Sequence, residues 1–349
     1  MKALVLTEYN KFAYREVEPP AVGQGEVLVA VKACGICGSD VHGMDGSSGR
    51  RRPPIIMGHE AAGVIAAVGP RVTGWMPGDR VTFDSTVYCG ECDFCRAGQV
   101  NLCDRRRVLG VSCEDYRRHG AFAEYVAVPQ RILYRVPASL PLEQAALVEP
   151  VSIAFHAVHR TPICLNDTAV VIGAGMIGLL VLQALRLAGC GRLLAVDVAP
   201  DRLELARKLA ATDTVNAGAV EPVAEVLRLT GGRGADVVCE AVGLASTVEV
   251  AVRCARKGGA VTLVGNVTPQ VPLPLQAVVT RELTLYGSCA SRGEYPACLE
   301  TLARGAMSVV PLISAVAPLA EGPAWFERLY RKEPGLIKVI LSPEPASPA

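Results

Sequence analysis

The sequence predicts an α/β protein of two domains, the first rich in short strands and the second built on a parallel sheet. Three observations carry that expectation. The chain is 349 residues long, its first third consists of short apolar runs broken by Gly and Pro, and a strand–helix rhythm begins after Glu149-Pro150. Such a length exceeds one ordinary core, because domains run to roughly 100–200 residues. Half of the residues are hydrophobic, so apolar surface for burial is ample. A formal net charge of +1 gives no overall attraction for nucleic acid. No uninterrupted apolar stretch reaches the ~20 residues of a membrane span. The expected partner is therefore a small molecule, with neither nucleic acid nor membrane.

Taken in order, MKALVLTEYNKF alternates as a first strand and lacks the small-residue cleavage site of a signal peptide, so a cytoplasmic location is expected. EVLVAVKA (26–33), AAGVIAAVG (61–69) and GDRVTF (78–83) read as further short strands. Past Pro150, VSIAFHAVHR reads as helix, and TAVVIGAGMIGLLVLQALRLAG as strand, tight turn and helix. RLLAVDV, DRLELARKL, ADVVCEAVG, VEVAVRCA and GAVTLVGN continue the alternation, which implies βαβ units. The repeat fades from about Tyr286. The amphipathic stretch APLAEGPAWFERLYRK (317–332) suggests a return to the first domain, and SPEPASPA (342–349) reads as a mobile tail. The expected division is 1–152 with 288–349, against 153–287.

Thirteen cysteines, an odd number, fall into two classes. Cys89, Cys92, Cys95 and Cys103 lie within fifteen residues, at C-x2-C-x2-C-x7-C. Four thiolates at that spacing match a closed tetrahedral zinc site, which holds a loop by metal–sulfur bonds. The other nine are scattered, several in apolar segments, and are expected as reduced thiols, with Cys37 as a metal ligand. Cys37, His59 and Glu149 form a second donor set, spread along the chain, with Glu60 beside His59. A Cys, a His and a carboxylate would leave a coordination position open, as catalysis requires. Taken singly, each of these residues has a plainer reading as core or helix cap.

Val170-Val171-Ile172 run into Gly173-Ala174-Gly175-Met176-Ile177-Gly178, a G-x-G-x-x-G where a strand gives way to a helix. The first Gly permits the turn, the second admits a pyrophosphate, and the third lets helix and strand pack closely. Asp197, nineteen residues after Gly178, ends the next strand and supplies the carboxylate that binds a ribose diol. NAD(H) is the expected cofactor. Arg202 stands where it could meet a 2′-phosphate, which keeps NADP as the alternative.

The elements CGICGSDVH (34–42), GHEAAGV (58–64), PGDRV (77–81), the four-cysteine lobe, GAFAEYV (120–126), EP (149–150) and GAGMIG (173–178) together resemble the zinc-dependent medium-chain dehydrogenase/reductase family, in its order and over nearly the whole chain. The resemblance implies a GroES-like catalytic domain with a Rossmann domain, two zinc ions per chain, and a homodimer or homotetramer. It names Cys37 and His59 as catalytic zinc ligands and leaves the third between Glu60 and Glu149. Glu149-Pro150 stands where classical alcohol dehydrogenases place a cysteine, which resembles the polyol branch of sorbitol and galactitol-1-phosphate dehydrogenases. Ser39 is then expected to accept the alcohol's hydrogen bond, and His42 to pass the proton outward. Turn-capping is the plainer role for His42, and His156 is expected in the core.

Around GSCASRGEY (287–295) the chain departs from sorbitol dehydrogenases, with Ala290 and Ser291 in place of an Arg-Tyr pair, and looks more like the galactitol-1-phosphate group. The clusters Arg50-Arg51-Arg52 and Arg105-Arg106-Arg107 read as solvated surface, with a phosphorylated substrate as the alternative. The leading expectation is a zinc- and NAD-dependent oxidoreductase of a polyol, sugar-alcohol or sugar-alcohol-phosphate secondary hydroxyl. An L-threonine 3-dehydrogenase shares the same motifs and is the nearest rival. A non-enzymatic zinc-ribbon protein that senses NAD is a remote one, because Glu91 and Asp93 between the lobe cysteines make a poor phosphate-binding surface.

Overall fold

The computed structural model describes residues 1–343, so the tail expected to be mobile lies, from 344 on, outside the described residues. By internal packing the chain divides into two units. The first holds Met1–Glu149, Tyr295–Gly305 and the chain from Val309 on, and the second Pro150–Glu294 with Ala306–Ser308.

The first unit is β-rich. Its main sheet runs Leu133–Arg135, Arg80–Phe83, Glu60–Val68, Glu26–Gly35, Lys338–Ser342 and Ile313–Pro318, and Tyr125–Pro129 also pairs with Glu26–Gly35. Glu26–Gly35 alternates between buried and half-buried positions for most of its length, which is the period-2 pattern of a strand with one face on a core. Its last residues set up the chemistry below. Gly35 is paired with Glu60 on one side and with Ile340 on the other, so three distant segments meet at one point of the sheet. The C-terminal stretch returns to this unit as expected. Its helix is shorter than the amphipathic text, Gly322–Tyr330, after a strand end and a tight turn over Ala317–Glu321. Phe326 buries there at 4.4 Å from the ring of Phe12 and edge-on to Phe122.

The second unit carries a six-stranded sheet, parallel throughout, in the order Asp213–Asn216, Arg192–Asp197, Thr168–Ile172, Ala235–Glu240, Ala255–Leu263 and Thr284–Gly287. Numbered by sequence this is 3-2-1-4-5-6, the Rossmann order, whose switch point lies between the first and fourth strands. Thr168–Ile172 and Ala235–Glu240 flank that point, and both read as near-continuous apolar runs because parallel strands are covered on both faces. The helices Met176–Leu187, Pro200–Leu209, Pro222–Leu229, Ala245–Cys254 and the short Leu275–Thr280 lie in the five connections. Among the described residues no helix is long and apolar enough to cross a membrane.

Candidate active site

Cys37 ends the loop after Glu26–Gly35 and precedes a single helical turn, Gly38–Val41. That turn sorts its side chains: Asp40 is fully buried, whereas Ser39 and His42 are exposed. His59 and Glu60 come from the start of the strand Glu60–Val68, after Gly58. Gly58 has φ +93°, and a Cβ there would sit 2.8 Å from Cys34 Sγ and 2.9 Å from Phe122, so only glycine turns the chain here. One ligand atom from each of Cys37, His59 and Glu60 lies within 4.8 Å of the other two. Glu149, in the first turn of the helix Val148–Arg160, is not a member of that cluster. It is near enough to feel it. Burial pushes its carboxyl up to about 8, opposed by His59 and reinforced by Glu60 and Asp84.

The surroundings fit a metal at this cluster. His59 Nδ1 and Asp40 Oδ2 are buried without hydrogen-bond partners and face each other at 3.4 Å. A metal-bound imidazole donates its other N–H to a carboxylate in this way, which leaves the opposite nitrogen for the ion. Burial would raise the Asp40 carboxyl, but His59 and Arg51 hold it well below its usual range. Glu60 is balanced differently. Lys338 Nζ donates to both its oxygens, at 2.9 and 2.6 Å, and to the Ile36 carbonyl at 2.9 Å, with all of these side chains buried. Gly35 makes room for the pair, since a Cβ there would collide with Glu60 Oε2.

The four lobe thiols also converge within 4.8 Å. Backbone amides of Glu91 and Cys92 donate to Cys89 Sγ at 3.5 and 3.4 Å, and their hydrogen bonds lower that thiol to about 6, toward the thiolate a metal needs. None of the thirteen cysteines is joined in a disulfide.

At the carboxyl end of the central strand Thr168–Ile172, Gly173 has φ +93°, and a Cβ on Gly178 would overlap the Gly173 carbonyl oxygen. Gly175 caps the helix Met176–Leu187, and Met176 and Ile177 form its half-exposed first turn, where amides have no helical partner. Asp197 accepts from the Ala174 amide at 2.6 Å and the Ala199 amide at 2.9 Å, so the carboxylate stands against the glycine turn. Arg202 reaches the same turn, its guanidinium 3.6 Å from where a Gly175 Cβ would be.

Asp40, Arg51 and Lys338 escaped the sequence reading. Asp40 was signalled by its place in CGSD. A lone lysine in the apolar stretch IKVIL was the trace of Lys338. In the arginine clusters the solvated-surface reading fails for Arg51, which is buried; Arg50, Arg52, Arg105 and Arg107 are exposed, with Arg52 paired to Glu114 at 2.7 Å and Arg105 paired to Glu91. His156 is buried as expected, but it meets Glu294 at 2.8 Å. Ala290 adopts φ +53°, and Ser291 beside it is buried.

Residues 23–138 match the family model described as the alcohol dehydrogenase GroES-like domain, and residues 177–304 that of the zinc-binding dehydrogenase. The sorbitol dehydrogenase of Bacillus subtilis (strain 168) is 33% identical over 347 residues, covering 98% of this chain and 97% of its own. This chain belongs to the zinc-dependent medium-chain dehydrogenase/reductase family. Galactitol-1-phosphate dehydrogenase of Escherichia coli superposes with a TM-score of 0.91 at 29% identity, covering 98% of this chain and all of the other. A zinc-binding dehydrogenase of Sinorhizobium meliloti 1021, solved bound to NADP, gives 0.89 at 33% identity, with 98% and 99% covered. Membership makes the chain an enzyme, a dehydrogenase of the polyol branch of this zinc family, and both thiol-bearing clusters are compatible with zinc.

Proposed function

We propose that this dehydrogenase oxidises a secondary hydroxyl of an unphosphorylated polyol or sugar alcohol to the ketone and passes the hydride to NAD+. The observation that carries the reading is the turn Gly38–Val41, which follows Cys37 directly, buries Asp40 against His59 and leaves Ser39 and His42 exposed. Cys37 and His59 with a carboxylate, Glu60 or Glu149, would hold zinc, which when bound supplies Lewis-acid polarisation of the substrate oxygen. Ser39 Oγ accepts the substrate hydroxyl's hydrogen bond and takes its proton as its own proton moves on. His42, three residues later on the same turn, hands that proton to solvent. Oxidation removes one proton and one hydride from the substrate: the proton leaves through Ser39 and His42, NAD+ when bound would supply the acceptor for the hydride, and a carbonyl remains. The four-cysteine lobe would hold the second, structural zinc.

Likeness to the sorbitol and galactitol-1-phosphate dehydrogenases supports the sugar-alcohol class. Burial of Arg51 and the pairing of Arg52 and Arg105 with carboxylates favour a substrate without phosphate. Asp197 beside the glycine turn favours NAD over NADP, since a carboxylate there accepts from a ribose diol and repels a phosphate. The test is a panel of polyols, their phosphates, L-threonine and simple secondary alcohols, followed by absorbance of the reduced cofactor. The highest kcat/KM is expected for a free polyol with NAD. A clear preference for a phosphorylated or amino substrate refutes the assignment.

A further inference from the structure

We propose that Arg51 is a positioning residue of the metal centre, which holds Asp40 and Ser39 so that His59 is presented to the metal and Ser39 to the alcohol. The inference rests on the reading of Cys37 and His59 as metal ligands. Arg51 lies between two exposed arginines, yet only 4% of its side chain is accessible, and Asp40 is wholly buried. Its Nε and Nη2 both donate to Asp40 Oδ1, at 3.1 and 2.8 Å. Nη1 donates to the Arg50 carbonyl at 3.1 Å, and Nη2 also reaches Ser39 Oγ at 3.4 Å.

A carboxylate gripped on one oxygen by two donors of a rigid fork loses both bonds if it rotates. Its other oxygen, Oδ2, therefore stays aimed at His59 Nδ1, and the opposite ring nitrogen stays available to the ion. A guanidinium has donors and no acceptor, so Ser39 Oγ is an acceptor toward Arg51 and its hydroxyl hydrogen must point elsewhere. One side chain thus orders both the support of a metal ligand and the first proton acceptor.

The fold also reserves space for it. A Cβ on Gly43 would collide with Arg51 Cγ and sit 2.9 Å from the Ser39 carbonyl oxygen, although Gly43 does not have the positive φ that demands glycine. The backbone of the arginine segment is tied independently, through a bridge between Arg51 and Ser112 and bonds of 3.2 Å from Arg52 to Ser112 and from Ser112 to Arg50. Changing the side chain leaves that tie in place.

The experiment uses the zinc-loaded protein and three variants, Arg51→Met, Arg51→Lys and Gly43→Ala. Zinc release to a chelator is followed without substrate, alongside thermal melting and steady-state kinetics. Arg51→Met is expected to release the Cys37 zinc about 10- to 100-fold faster, the range for loss of a residue supporting a metal ligand. Its lobe zinc should be retained, and kcat should fall by a similar factor with KM for NAD unchanged. Arg51→Lys should recover part of the loss by restoring the charge. Gly43→Ala should move the same readouts in the same direction with Arg51 still present. Normal zinc release in Arg51→Met, or a lower melting temperature as the sole effect of all three variants, overturns the proposal. Finding no zinc at Cys37 in the unsubstituted protein overturns the metal reading as well, and zinc content tells the two failures apart.

Discussion

Two carboxylates compete for one role beside Cys37 and His59, and the surroundings of each predict different damage on removal. Glu60 neutralises the buried Lys338, so Glu60→Gln leaves an ammonium without its counter-charge. Breaking such a buried pair costs about 3–5 kcal/mol, so a lower melting temperature and weaker zinc retention are expected together. Burial already pushes the Glu149 carboxyl toward its neutral form, so Glu149→Gln should spare the fold while lowering kcat, with NADH affinity almost unchanged. Fluorescence titration of NADH and turnover on both variants check this. Turnover of Glu149→Gln at the unsubstituted rate would reduce Glu149 to a helix-capping residue. The raised Glu149 carboxyl adds a pH effect in metal-free protein. Its folded value of about 8 lies above the ordinary carboxylate range, so the folded state binds the extra proton between them. Stability of the metal-free protein should therefore fall as pH rises from about 5 to 8, by at most about 1.4 kcal/mol per unit, and Glu149→Gln should flatten that slope.

At the scale of elements, the strand–turn–helix from Thr168 to Leu187 depends on two contacts of opposite kind. Gly178 provides absence of bulk, since any Cβ meets the Gly173 carbonyl. Gly178→Ala must push helix from strand, and loss of cofactor binding is expected, measurable by NADH titration. Asp197 provides charge, but one of its oxygens already accepts the Ala174 amide of the turn and the other the Ala199 amide two residues on. Asp197→Ala should for that reason weaken both cofactors as well as relax the preference for NAD. The decisive quantity is the ratio of kcat/KM for NAD to that for NADP, which should fall toward one. A ratio already below one in the unsubstituted protein would refute the NAD assignment, an outcome the NADP-bound relative makes worth measuring.

For the whole molecule the prediction is two zinc ions per chain with separable consequences. The four lobe thiols would close a shell around one ion, whereas Cys37, His59 and a carboxylate would leave a position open. Cys95→Ser should lower thermal stability or solubility, because a structural site contributes folding energy. Cys37→Ser should abolish turnover and keep the fold. Metal analysis with melting curves on both variants checks the separation. One zinc per chain in fully active, folded protein would falsify it.

Local signals were enough for what depends on neighbours in the chain. The lobe cysteines are spaced to converge, the glycines of 173–178 must meet at one turn, and the alternation of apolar segments implies the parallel sheet whose strands run from Thr168 to Gly287. Ser39, Asp40 and His42 share one turn, so their neighbourhood was legible even though Asp40's role was not. What no local pattern contained was which charges are buried and with whom. Arg51 looks like its neighbours Arg50 and Arg52 in the sequence, yet the chain's path past Ser112 turns it inward onto Asp40. Lys338 lies 278 residues from Glu60, and only sheet register, with Gly35 paired to Glu60 and to Ile340, brings its ammonium to that carboxylate. Residue type and spacing determine which groups are able to bind metal, phosphate or proton. A buried charge needs a counter-charge because the interior solvates it poorly, and tertiary pairing alone decides which one it receives.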